Sequence, residues 1–505
     1  MVNFFKSDKG LILLLVLLFF GLLPIFYLNQ GTFLIDTGRE LYIFQQVADG
    51  GILYKDILNI YGPFAYQFIA LLFNLFGQSI TVAYNAGVIN SLIIIVTLFL
   101  LSREFLNKGL SFLTSVLSIF SLVYTTHLFN SNIPYSFGLS YALSSLLLSI
   151  LFLTKYLKTD KTQYAYLSSF FAGLSVVNKY EFFLYPLVLL FAFYKPLNLK
   201  QRIMAISSFI IMPIVCFLPL FISGLTITDV KNAVITMIAF ATSDNMKIFY
   251  STYGNIFEPT AFKRVLQTNI FVSVLGFIPL INLVLFLSKV KKLFEDKTLL
   301  FFCIATILAS IKFLLFMNVM HMGAFVFPLC LIMFLVLIQN TKIKEHIKYL
   351  VLIFLILTFA SYDIGSANKR NYILETQKGT VKTFMQAGVP IYDVQEYILK
   401  NTKKTDKIMV VPEGAIINFI TDRRTDNLYH NLDPLYYFGA FGEDNVMNNF
   451  TKNPMDYIVV FPIDMTEFGS KYFCDYATRF CEMINSDYNL VEEMNEVKIY
   501  KRKNK

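Results

Sequence analysis

The chain has 505 residues, 56% of them hydrophobic and only 15% charged, with a mean hydropathy of +0.58. A soluble globular protein carries about 25% charged residues, so this composition excludes one and points to a polytopic membrane protein. The net charge of +9 does not argue for nucleic acid, because Lys and Arg of a membrane protein gather in its cytoplasmic loops.

About eleven apolar runs approach the ~20 residues that cross a bilayer. They lie at roughly 9–28, 80–101, 109–127, 135–154, 163–178, 182–197, 203–223, 268–288, 298–316, 321–340 and 348–364. The first has Lys6 and Lys9 before it but no small-residue cleavage site, so it reads as a retained helix. Trp is absent, which leaves interfacial anchoring to the 30 Tyr residues. Gly62 to Gly77 is apolar but short and starts at a Gly-Pro. It reads as a helix lying in the interface.

Charge placement sets the orientation. Arg103 and Lys108, then Lys155, Lys158 and Lys161, then Lys195, Lys200 and Arg202, then Lys289, Lys291, Lys292 and Lys297, then Lys342, Lys344 and Lys348 occupy one set of loops. The alternate short loops hold almost no basic residues. The first set is therefore expected in the cytoplasm, with the N-terminus inside and the C-terminus outside. That leaves loop 29–79, loop 224–267 and the tail 365–505 on the outer face of a plasma (inner) membrane. The expected division is a catalytic bundle over 1–364 and an extracytoplasmic domain over 365–505.

The tail reads as a small, separate α/β unit. Residues 392–401 have helical apolar spacing. Strands are expected at 407–411, closed by Pro412-Glu413-Gly414, and at 456–461 and 497–500. Cys216, Cys303 and Cys330 lie in apolar runs and read as packed thiols. Cys474 and Cys481 would lie ~10.5 Å apart on one continuous helix, so a bridge is expected only if 474–481 forms a loop.

Three polar groups share the outer face. The first is Asp36 with Arg39 and Glu40, followed by Lys55, Asp56 and Tyr61. The second is Lys179 with Glu181. The third is His321. Charge at membrane depth is a functional hypothesis by default. Each residue also has a plainer reading. Asp36 suits a helix N-cap, and Arg39 with Glu40 suits a solvated surface pair. Asp56 suits a turn, as does Tyr61-Gly62-Pro63. Lys179 suits a snorkelling lysine paired with Glu181, and His321 suits a satisfied core histidine. Convergence on one face favours the functional readings.

The chemistry that fits is transfer from a sugar linked to a polyprenyl phosphate. It needs a base for an acceptor hydroxyl, assigned to Asp36, and cations for the phosphate, with Arg39, Lys55 and Lys179 as candidates. Glu40, Asp56, Tyr61, Glu181 and His321 complete the expected substrate-binding set. No cofactor is certain. No Cys/His metal cluster is evident, although Asp36 with Glu40 leaves room for a weakly bound divalent ion. The acceptor class, whether lipid, glycan or protein, stays open.

The retained first helix, the acidic loop motif, the interfacial segment ending in Phe76-Gly77, the helix bundle and the outer tail together resemble the GT-C membrane glycosyltransferases. Within them the chain is similar to the family 39 branch, which holds the protein O-mannosyltransferases and the lipid A aminoarabinose transferases. Asp36 matches the acidic residue after the first helix. Gly173-Leu174-Ser175-Val176-Val177-Asn178-Lys179 resembles a segment preceding a membrane-surface lysine. The likeness is best over residues 10–180. It implies a GT-C-like bundle of transmembrane helices with an α/β outer domain, and inversion at the anomeric carbon. Many relatives have Asp-Glu where this chain has Asp36-Thr37-Gly38-Arg39-Glu40, and Glu-Lys-Pro-Pro where it has Tyr61-Gly62-Pro63. The competing reading is a transporter or flippase for a lipid-linked or polar solute, which places charges mid-span rather than at helix ends.

Overall fold

The computed structural model describes residues 7–125, 130–252, 275–315, 325–339, 341, 343–425 and 428–503. The first helix, α1 (Asp8–Phe26), starts at a Ser7 cap and is followed by the loop helices α2 (Asp36–Ala48) and α3 (Phe64–Phe76). The bundle continues through α4 (Ile80–Arg103), α5 (Lys108–Ser118), α6 (Phe137–Thr159), α7 (Thr162–Asn178), α8 (Tyr185–Tyr194) and α9 (Leu199–Ile222). Next come α10 (Ile227–Thr242), α11 (Asp244–Thr252), α12 (Ile278–Leu293), α13 (Lys297–Ala309), α14 (Ile311–Leu315), α15 (Phe327–Leu337) and α16 (Glu345–Lys369). Among the described residues five helices are long and apolar enough to span a bilayer: α1, α4, α6, α9 and α16. The other expected spans appear as shorter helices or run into residues outside the described set.

Helix α6 is the hub. It is buried on nearly every side, and its serines replace bulk with hydrogen bonds. Ser149 donates to the Ser168 carbonyl at 2.6 Å, and Ser175 donates to the Ala142 carbonyl at 2.8 Å, so α6 and α7 lie close. Gly173 serves the opposite face of α7: a Cβ there would meet the Phe209 carbonyl at 2.0 Å. By contrast α9 turns Ile206, Ile210, Ile214 and Leu218 outward. Among the described residues these side chains stay exposed, which suits a lipid-facing surface.

Polar contacts mark the two ends of the bundle. At one end Arg103 pairs with Asp8 at 3.0 Å and Lys158 pairs with Glu104 at 2.9 Å. At the other, Asn29 donates to Ala367 and Arg370 donates to Gly31, both at 3.0 Å. The Lys/Arg-rich loops belong to the first end. Asp36 and Lys179 belong to the second.

The C-terminal region begins with a hairpin of β1 (Tyr372–Thr376) and β2 (Gly379–Thr383). Helix α17 (Met385–Asn401) leads to β3 (Ile408–Val411), α18 (Ile416–Thr421), α19 (Glu443–Lys452) and β4 (Tyr457–Val460). Then come α20 (Phe473–Tyr476), α21 (Thr478–Asp487), β5 (Tyr488–Met494) and β6 (Val497–Arg502). The sheet order is β3-β4-β6-β5, with β3 and β4 parallel and the rest antiparallel. The three expected strands are all present. The hairpin and edge strand β5 are additional.

One side of this sheet shares its core with the bundle, because Ile408, Val410, Ile416 and Phe419 join the cluster that contains Leu41, Phe44 and Phe73. The apolar core is therefore continuous through α2, which lies between the two parts. Gly38 permits the contact, since a Cβ there would sit 2.6 Å from Ile416 Cβ. Thr425 N–H donates to Tyr42 Oη at 3.0 Å, and Gln45 donates to Asp422 at 2.9 Å. Cys474 and Cys481 form a disulfide across 5.7 Å of Cα separation. The segment is not the expected loop: the helix breaks at Ala477, between α20 and α21, and that break brings the two thiols within reach.

Candidate active site

The turn before α3 positions one half of the site. Gly62 N–H donates to the Asn178 carbonyl at 3.1 Å, and Asn178 Oδ1 accepts from Ala65 N–H at 3.1 Å. The end of α7 thus caps the start of α3. Gly62 has no alternative, because a Cβ would lie 1.7 Å from the Val177 carbonyl oxygen. The consequence is that Tyr61 lies over Lys179, with Nζ 3.7 Å from the ring centroid, and Tyr135 lies 5.7 Å away on another side. Buried ammonium groups are stabilised by such ring faces. Lys179 also faces Glu181 at 3.6 Å, and Glu181 binds Lys312 of α14 at 2.5 Å.

Helix α2 positions the other half. Asp36 is its first residue and does not cap it; the cap position is Ile35, without a side-chain bond. Asp36 instead accepts from Arg39 Nη2 at 2.5 Å. The other guanidinium nitrogen, Nη1, faces Glu413 at 3.5 Å, and the Arg39 Cζ lies 5.8 Å from the Tyr436 ring centre. Arg39 is buried rather than a solvated surface partner. Glu40 points away from this pair into the core, where it accepts from Tyr66 Oη at 2.5 Å and Phe137 N–H at 2.9 Å. Burial pushes its carboxyl up to about 7, against the opposing pull of Arg39 and of both hydrogen bonds.

Both halves open into one cavity of about 580 Å³. Asp36, Arg39, Tyr61, Tyr135, Lys179, Tyr180, Glu181 and Lys312 line it from the bundle. Glu413, Asp433, Tyr436, Asp464 and Glu467 line it from the C-terminal region. Its apolar wall comes from Met237, Ile238 and Phe240 of α10 and from Met246 and Phe249 of α11. Burial, then Asp433 and Asp36, push the Glu413 carboxyl up, while Arg39 opposes them. Burial raises Asp433 as well. Among the described residues six carboxylates and three cations line the chamber, and Lys179 and Lys312 gather at Glu181, where an anionic group of a substrate could sit beside the apolar wall.

A family model described as dolichyl-phosphate-mannose-protein mannosyltransferase matches residues 61–222, from Tyr61 to the end of α9. ArnT from Cupriavidus metallidurans, solved bound to undecaprenyl phosphate, is similar over 98% of this chain and 98% of its own, with a TM-score of 0.54 at 12% identity. The archaeal oligosaccharyltransferase AglB from Archaeoglobus fulgidus, solved with an inhibitory peptide and a dolichol-phosphate, is similar over 90% of this chain and 69% of its own. Its TM-score is 0.50 at 13% identity. No curated protein matches the sequence. The likeness to these solved structures shows that the chain has a GT-C-like fold.

Of the residues expected at the site, Asp36, Arg39, Tyr61, Lys179 and Glu181 meet in the cavity, and Glu40 lies behind it. Lys55 and Asp56 do not join them. Lys55 donates to the Gly224 carbonyl at 3.0 Å, and Asp56 accepts from Ile52 N–H at 2.9 Å, closing its own turn. Both line a different polar cleft with Asp49 and Arg424. His321 lies outside the described residues. Sequence reasoning missed Lys312, Tyr135 and the C-terminal carboxylates. Lys312 had a visible signal, a lone charge within the apolar run 298–316. Among the described residues no group of three His, Cys, Asp or Glu side chains is arranged to hold a metal ion.

Proposed function

We propose that the enzyme moves a sugar from a polyprenyl-phosphate donor to an acceptor hydroxyl on the extracytoplasmic face, with inversion. The observation that carries this reading is one cavity that joins Asp36 to Lys179 and Lys312 beside an apolar wall. Asp36 accepts the acceptor's proton as its oxygen bonds to the anomeric carbon. The bond from that carbon to the phosphate oxygen breaks, and its electron pair leaves with the polyprenyl phosphate. Lys179 and Lys312 balance the charge on that leaving group. They now share Glu181, so an incoming phosphate finds two cations already held together. Arg39 is committed to carboxylates and serves to hold Asp36.

The cavity lies at the end of the bundle opposite the Lys/Arg-rich loops, which supports an extracytoplasmic site in the plasma membrane with a cytoplasmic N-terminus. In this reading residues 1–364 form the catalytic bundle, and residues 365–505 the outer domain that closes the cavity and faces the lipid, glycan or protein acceptor. The test is purified enzyme with a panel of radiolabelled polyprenyl-phosphate sugars and hydroxyl acceptors. Label moving from lipid to acceptor is expected for one donor. Donor translocation across a vesicle without a covalent product would overturn the reading.

A further inference from the structure

Arg39 is held from both sides of the join between bundle and C-terminal region. Its Nη2 binds Asp36 on its own helix, and its Nη1 faces Glu413 on the turn after β3. That turn is built to aim Glu413. Gly414 has φ +138, and a Cβ there would strike Val410 Cγ1 at 2.4 Å. Asn431 donates to Glu413 Oε1 at 2.7 Å, and Asn431 Oδ1 in turn accepts from Asp433 N–H at 2.9 Å. Asp433 Oδ1 accepts from the N–H of Tyr436, whose ring lies beside Arg39. The missing side chain of Gly38 lets this turn approach α2.

We infer that Glu413 is a positioning residue: it holds the Arg39 guanidinium that orients Asp36, so the base is competent only when the C-terminal region is seated on the bundle. The inference rests on Asp36 acting as the base. Its chemistry is geometric. A guanidinium has a fixed planar fork, so fixing one nitrogen at Glu413 fixes the direction from which the other meets Asp36. Loss of that restraint leaves Asp36 present but free to turn, which lowers the chemical step without weakening the grip on the donor.

The experiment uses the full chain in detergent with the polyprenyl-phosphate sugar that supports transfer. Glu413→Gln is expected to lower kcat roughly ten- to hundredfold, with the KM for the donor within twofold of the parent. In an Arg39→Lys background, which lacks the fork, Glu413→Gln should have little further effect, because the two act through one contact. Gln45→Ala removes a different link across the same join. It should change the unfolding midpoint but not kcat. Parent-like kcat in Glu413→Gln, or independent losses in the double variant, would overturn the inference while Asp36→Asn remains inactive. An Asp36→Asn variant at the parental rate would instead overturn the underlying assignment of the base.

Discussion

Replacing Gly62 by Ala places one methyl group between the Tyr61-Gly62-Pro63 turn and the end of α7. That Cβ would lie 1.7 Å from the Val177 carbonyl oxygen, where real Cβ atoms stay beyond 3.0 Å. The turn and the helix end must separate by about 1.3 Å, a shift that well-packed backbone resists. The Gly62 N–H bond to Asn178, 3.1 Å long, then opens. Overpacking costs roughly 1–3 kcal/mol and the lost hydrogen bond about 1 kcal/mol more, so the fold should lose roughly 2–4 kcal/mol. The same movement carries Tyr61 off Lys179, and a misplacement of about 1 Å in a catalytic constellation can cost on the order of a hundredfold in rate. Thermal unfolding in detergent reads the first effect. Sugar transfer per folded molecule reads the second. A Gly62→Ala variant with the parental midpoint and turnover would refute the claim that this close contact sets the site.

Lys179→Gln and Lys312→Gln should each lower kcat/KM by roughly ten- to a thousandfold, while Lys55→Gln stays near the parent. An equal loss at Lys55 would move the phosphate to the other cleft. Glu40 gives a pH test. Its folded carboxyl is pushed up to about 7 from the ordinary Glu value of 4.5. The folded state therefore holds a proton that the unfolded state has released, and stability tied to Glu40 is full at low pH and lost as pH rises through about 7. Glu40→Gln should remove that slope from the unfolding midpoint, and a parent-to-variant difference that stays constant with pH would contradict it. Cys474→Ser should lower stability by about 2 kcal/mol, the value expected for a short closed loop. Mass mapping that finds both thiols free in unreduced enzyme would remove the basis for that loss.

Much of this architecture was legible because membrane physics writes strongly in sequence. Long apolar runs and basic loops announce a polytopic bundle. Asp36 and Lys179 stood out as charges beside it, and the Gly-Pro after Tyr61 announced the turn. What the sequence hid was juxtaposition. Lys55 is as close to Asp36 in the chain as many true partners, yet its loop carries it to Gly224. Glu413 read only as the end of a strand, because nothing local says that this turn meets Arg39 some 370 residues earlier. Strand β5 escaped notice because it is a sheet edge with mostly exposed side chains, so it lacks apolar alternation. The C-terminal region read as a separate unit for a related reason. Its shared core is made by short segments such as Ile416–Thr421, whose apolar character does not reveal which partner covers them.

The most direct test of the account is transfer by Asp36→Asn with the donor that the parent enzyme uses. Asn keeps the size of the side chain and can still face Arg39 but cannot take the acceptor's proton. The account predicts a loss of about 10²–10⁴-fold in turnover per folded molecule, with donor-lipid binding near that of the parent and a lower unfolding midpoint, because the buried Arg39 loses its charged partner. Asp56→Asn, at a residue that closes only its own turn, should be much milder. A folded Asp36→Asn enzyme that transfers sugar at the parental rate would contradict the central claim.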